Sequence, residues 1–122
     1  MSKKILLIED ESAVRSLYAE LLIDANYEVD QAPDGIEGMD KILNTSWDLL
    51  LLDIMLPGKD GMNMLRDIVA NPSIKKGPIV IISNLNSEHI IQEVKGFGVD
   101  EYLVKSEITP DQIVKTVNSY LE

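Results

Sequence analysis

The residues of this 122-residue chain that could do chemistry stand directly behind short apolar runs. Glu9 and Asp10 follow the run from Ile5 to Ile8, Asp53 follows Leu49 to Leu52, Ser83 follows Ile79 to Ile82, and Lys105 follows Glu101 to Val104. Each has an ordinary reading when taken alone: acids behind strands are mostly exposed loop residues, serines mark turns, and lysines are solvated. Together they suggest something more specific. Carboxylates crowded beside one another repel, and that cost is tolerated when a hard cation lies between them. Mg²⁺ is the natural choice, because it takes an octahedron of oxygens from one or two carboxylates, water and phosphate, and needs no His or Cys. A carboxylate can also attack phosphorus to give an aspartyl phosphate, with a metal and a lysine neutralising the transferring group. The Ser83 hydroxyl could donate to a phosphoryl oxygen.

Such groups cooperate only if the fold brings them to one place. Five short runs, Ile5 to Ile8, Glu28 to Ala32, Leu49 to Leu52, Ile79 to Ile82 and Glu101 to Val104, alternate with segments of helical period, the pattern of a parallel sheet covered by helices. Val14, Leu17, Leu21 and Leu22 are expected on one helical face, and Ile113, Val117, Tyr120 and Leu121 on another. Asp34 and Ser87 are expected N-caps, Thr109-Pro110-Asp111-Gln112 combines a capping box with proline at N1, and Gly96 and Gly98 can end the fourth helix. Leu56-Pro57-Gly58-Lys59 suits a type II turn, with Asp60 capping the third helix. This makes five βα units. In the strand order 2-1-3-4-5, strands 1, 3, 4 and 5 are neighbours, so their polar endings converge on one crevice at the carboxyl edge. Strand 2, which leads through Gln31-Ala32 into Pro33-Asp34, lies outside it.

The bulk properties narrow the function further. The length suits one domain over 1–122, and 45% hydrophobic residues suffice for a core. There is no apolar run long enough to span a membrane, and the first ten residues turn acidic too soon for a secretory signal, so a soluble cytoplasmic protein is expected. Zero cysteines exclude disulfides and thiolate chemistry. Twenty-one acids against eleven bases give a net charge of −10, which argues against direct nucleic-acid binding. His89, the only histidine, has no companion with which to hold a transition metal and is read as a surface residue.

Glu9-Asp10, Asp53-Ile54-Met55-Leu56-Pro57-Gly58-Lys59-Asp60-Gly61, Ser83 and Lys105 resemble the signature of the receiver domain of bacterial two-component response regulators, in order and over essentially the whole chain. The resemblance implies a flavodoxin-like, doubly wound (βα)5 fold acting as a signalling switch and not as an enzyme. It implies that Asp53 accepts a phosphoryl group from a phosphohistidine on a sensor histidine kinase or phosphotransfer protein. Asp10 would be a direct Mg²⁺ ligand, Glu9 a ligand directly or through water, and the Met55 backbone carbonyl would complete the protein's share. Ser83 and Lys105 would contact the phosphoryl oxygens, and Ser83 with Tyr102 would form the switch pair. Phosphorylation would then alter the surface of helix 4, strand 5 and helix 5 for a downstream protein target, with a phosphorylation-dependent homodimer among the outcomes.

Three residues depart from the commonest family pattern. Glu9 stands where aspartate is usual, Asn84 where a small residue is usual, and Ser106 where proline follows the lysine. A cis peptide before a non-proline residue costs about 3 kcal/mol over trans, which disfavours cis at Lys105-Ser106. Other readings of the architecture fare less well. A flavin binder would meet the acidic Glu9-Asp10-Glu11 loop, and no glycine-rich nucleotide loop is present. A phosphohydrolase with an aspartate nucleophile would need an acid two residues beyond Asp53, where Met55 stands. A receiver-like module that binds partners constitutively remains the alternative.

Overall fold

The computed structural model describes residues 2–56, 61–74 and 77–122. Within them run β1 (Lys4–Ile8), α1 (Ser12–Asp24), β2 (Glu28–Ala32), α2 (Gly35–Asn44), β3 (Leu49–Asp53), α3 (Gly61–Ala70), β4 (Ile79–Ser83), α4 (Glu88–Lys95), β5 (Glu101–Val104), a 3-10 turn (Lys105–Glu107) and α5 (Pro110–Leu121). The five strands are parallel in the order β2-β1-β3-β4-β5. This is the flavodoxin-like α/β arrangement expected from the alternation of runs and helices.

Strand alternation sorts the apolar residues into two cores. Leu6, Ile8, Leu50, Leu52, Ile79 and Ile81 face a layer built from α2, α3 and α4. Ile5, Leu7, Leu49, Leu51, Val80 and Ile82 face α1 and α5. Both faces of β3 and β4 are therefore dry, which is why Leu49 to Leu52 and Ile79 to Ile82 read as unbroken apolar runs. Two strands are one residue longer at the carboxyl end than the apolar runs suggest. Asp53 is the last residue of β3, opposite Ile82, and Ser83 the last of β4, opposite Val104. Their side chains are consequently aimed by the hydrogen-bonded ladder and not by a loop.

Most boundary signals act as expected. Asp34 accepts the Glu37 N–H at 2.8 Å, and Gln112 Oε1 accepts the Thr109 N–H at 2.8 Å in the capping box before α5. Gly98 takes φ +91 after α4, a left-handed conformation that glycine adopts freely. Two expectations change. Ser87 occupies the N-cap position of α4, but its side chain makes no cap hydrogen bond. On α1 the buried residues are Tyr18, Ala19 and Leu22, whereas Leu17 is 43% exposed. That helix is apolar around much of its circumference, so spacing alone did not select the arc that packs. The Leu56 to Lys59 turn and the Asp60 cap lie outside the described residues. No cis peptide occurs among the described residues.

The outer strand β2 carries polar residues. Asp30 accepts from Lys41 Nζ at 2.8 Å, and the same ammonium donates to the Gln31 carbonyl at 2.6 Å.

Gly61, the first residue of α3, packs directly against the turn behind Asp53. A Cβ there would lie 2.1 Å from the Ile54 carbonyl oxygen and 2.4 Å from its Cα. Both obstacles are backbone, so no side-chain rotation relieves them. Gly61→Ala should lower unfolding stability by about 2 kcal/mol. An unchanged midpoint in urea unfolding would show that α3 can withdraw from Ile54 at no cost.

Candidate functional site

Among the described residues, three polar or charged residues are buried: Glu9, Asp53 and Ser83. All stand at the carboxyl edge of the sheet. Glu9 follows β1 and extends its ladder by one bond, from its N–H to the Ala32 carbonyl at 3.1 Å. With Asp53 at the end of β3 and β1 paired to β3, the two carboxylates are neighbours by topology. Asp10, one residue on, is exposed. One carboxylate oxygen from each of Glu9, Asp10 and Asp53 lies within 4.8 Å of the others.

Lys105 opens the 3-10 turn behind β5 and reaches across β4 to this cluster. Its Nζ donates to Asp53 Oδ2 at 2.8 Å and also to Glu9 Oε1. The other Glu9 oxygen accepts the Asp10 N–H at 3.0 Å, and the other Asp53 oxygen accepts the Met55 N–H at 2.8 Å. Thus both buried carboxylates are hydrogen-bonded on both oxygens, as buried charges require. Above them lies a cleft of about 210 Å³ lined by Asp10, Glu11, Asp53, Met55, Asn84 and Lys105.

Ser83 is fully buried and does not line that cleft. Its hydroxyl oxygen accepts the Leu85 N–H at 3.1 Å. Tyr102, only 8% exposed, points inward and donates its hydroxyl to the Leu85 carbonyl at 2.7 Å. The two residues expected to form a switch pair therefore grip the same residue of the β4–α4 loop. His89 is 87% exposed beside Glu93, in keeping with a surface role.

A residue the sequence reading missed is Arg15 in α1, whose Nη1 donates to the Glu9 carbonyl at 2.7 Å. Only the fold reveals it, because an arginine early in a helix has no distinguishing pattern.

Electrostatics follow from this crowding. Burial, then the nearby Asp53 carboxylate, pushes Glu9 up to about 7, with the Lys105 ammonium opposing. Burial acts to lower Lys105, but Asp53 and Glu9 outweigh it and hold the ammonium above its ordinary value. The donor set is oxygen only, anionic and clustered, which fits a hard divalent cation and not a soft one.

A raised carboxyl pKa means that the folded protein holds the proton more tightly than the unfolded chain. The stabilisation from that proton is complete below about 4.5 and is lost as pH rises through about 7. Metal-free wild type should therefore lose stability over this window relative to Glu9→Gln, whose difference curve against pH should reveal the missing titration. Parallel pH profiles in chemical denaturation would contradict it.

The profile of the response regulator receiver domain matches residues 5–118. The transcriptional regulatory protein ResD of Bacillus subtilis (strain 168) is 37% identical over 120 residues, covering 97% of this chain and 48% of that protein. The chain thus spans about half the length of that relative. The BeF3-activated N-terminal receiver domain of Klebsiella pneumoniae RstA superposes with a TM-score of 0.88 at 32% identity, covering 98% of this chain and 99% of that one. The Mn(2+)-bound form of response regulator Rcp1 gives 0.84 at 31% identity, covering 98% and 94%.

Proposed function

Because this chain belongs to the response regulator receiver domain family, we propose that residues 1–122 form a single receiver domain whose phosphoacceptor is Asp53. The observation that carries the reading is the Asp53 carboxylate at the floor of the cleft, fixed by Lys105 at 2.8 Å and by the Met55 N–H at 2.8 Å. A phosphohistidine on a sensor histidine kinase or phosphotransfer protein is the donor. An Asp53 oxygen attacks phosphorus, the P–N bond breaks, and the imidazole leaves with its electron pair. Lys105, already bonded to the acceptor, neutralises the incoming charge.

Mg²⁺ is the cofactor of this reading. Asp10, Asp53 and the Met55 carbonyl would hold it, with Glu9 contributing directly or through water. When bound, the ion supplies charge neutralisation to the carboxylates and the phosphoryl oxygens. Glu9 has a second task in this chain, since one of its oxygens is committed to Lys105 and the other to the Asp10 N–H.

Ser83 and Tyr102 couple the site to the surface. Ser83 is buried and does not line the cleft, so its hydroxyl must swing toward the cleft to donate to a phosphoryl oxygen, and that movement pulls on the Leu85 N–H it accepts. Leu85 is also where Tyr102 is anchored, so the β4–α4 loop and the tyrosine respond together. The altered face is that of α4, β5 and α5, offered to a downstream protein target or to a second copy of the chain. This is a signalling role in the cytoplasm, without direct nucleic-acid contact. No helix among the described residues is long and apolar enough to cross a membrane.

Intact-protein mass after incubation with acetyl phosphate and Mg²⁺ tests the acceptor. Wild type should gain one phosphoryl group, while Asp53→Asn and metal-free samples should gain none. If wild type stays unmodified with acetyl phosphate and with a phosphoramidate donor, the domain is a constitutive interaction module. Light scattering over a concentration series should show the mass rising toward the dimer when phosphodonor is present; a constant mass would remove the dimer.

A further inference from the structure

The acidic loop between β1 and α1 has no glycine or proline to shape it, and its conformation rests on hydrogen bonds. The Glu9 N–H is taken by the Ala32 carbonyl at 3.1 Å, and the Asp10 N–H by Glu9 Oε2 at 3.0 Å. The remaining two bonds both come from Arg15. Its guanidinium donates to the Glu9 carbonyl at 2.7 Å, and its backbone N–H donates to the Glu11 carbonyl at 2.8 Å. The backbone bond is the first bond of α1, which any residue at this position would make, so the guanidinium bond to the Glu9 carbonyl is the one that belongs to Arg15 itself.

Glu9 is fully buried, and a carbonyl without a donor in such a place is costly. The Glu9 N–H bonds to β2, whose pairing with β1 ends at Ile8 and Ala32, so the Glu9 carbonyl on that side lies beyond the paired residues. The arginine fork supplies the bond the sheet does not. Asp10 itself is exposed and faces the cleft. Its carboxylate stays within 4.8 Å of the other two only while its backbone is held.

We propose that Arg15 is a positioning residue for divalent-cation binding: by clamping the Glu9 carbonyl it fixes the backbone that presents Asp10 to Asp53. The inference rests on the metal reading given above. It has a sign that charge alone would not produce. Arg15 is a cation near a cation site, so by Coulomb's law its removal should tighten binding. A positioning role requires removal to weaken it.

The test titrates Mn²⁺ into wild type, Arg15→Met and Arg15→Lys by calorimetry, and follows amide hydrogen exchange of the metal-free proteins. Arg15→Met keeps an apolar stem without the donor, and should bind Mn²⁺ about 10-fold more weakly, the range for partners that orient ligands. Arg15→Lys retains the charge and one donor and should recover part of the affinity. In the exchange arm, the Asp10 amide should exchange faster in Arg15→Met while the amides of β3 keep their protection, which separates a local effect from global destabilisation. Equal or tighter Mn²⁺ binding by Arg15→Met would overturn the proposal, as would an unchanged Asp10 amide. If wild type binds no Mn²⁺, the metal reading falls; the Asp10 amide then decides whether Arg15 holds the loop. Should Arg15→Met fail to fold, Arg15→Lys against wild type carries the same two comparisons.

Discussion

Lys105 donates to Asp53 and to Glu9, so one ammonium stands against two buried carboxylates with a third, Asp10, at the rim. The cluster carries more negative than positive charge and sits at the end of a dry sheet, where like charges repel strongly. The upward shift of the Glu9 carboxyl reflects that repulsion and its burial, and the hydrogen bonds on every oxygen of the buried pair help to contain it. The same imbalance makes the site receptive to a cation, and it gives the lysine a reason to be where a transferred phosphoryl group would need it.

Topology is what makes this concentration of charge achievable. In the order β2-β1-β3-β4-β5, the strands that lead into Glu9 and Lys105 and those that end in Asp53 and Ser83 are consecutive, and the hydrogen-bonded register sets their carboxyl ends side by side. The rigid part of the site is thus supplied by strands, with Asp53 and Ser83 as terminal strand residues. The β4–α4 loop is tied at Leu85, whose backbone is bonded by the Ser83 and Tyr102 side chains and whose own side chain packs on the core. A division between strand-borne chemistry and a tethered loop suits the switching role proposed for the domain.

Much of this was written in the sequence because parallel strands buried on both faces leave little choice of residue. Leu49 to Leu52 and Ile79 to Ile82 could hardly be anything else, and the polar residue behind each run then stands out. The less legible features arise where tertiary contact chooses among locally equivalent options. Leu17 and Tyr18 are both apolar enough to pack, and it is the tyrosine that joins the core between the sheet and α5. Ser87 has the right chemistry for a cap and stands at the N-cap position, yet its side chain makes no such bond. The pairing of Glu9 with Lys105 joins residues far apart in sequence and depends on two side-chain lengths meeting across β3 and β4. The Arg15 bond to a backbone carbonyl leaves no trace in residue type.

The Lys41 ammonium, bonded to both the Asp30 carboxylate and the Gln31 carbonyl on β2, has a consequence for how this protein behaves in a crowd. An outermost strand exposes a row of unused peptide groups, which can template a strand from another chain and so begin aggregation. Here a side chain already occupies one of those acceptors, and a neutralised but still polar pair stands beside it. An approaching strand would have to strip away an ion pair before it could dock. The pair therefore narrows the ways in which this edge of the sheet could take up a further strand.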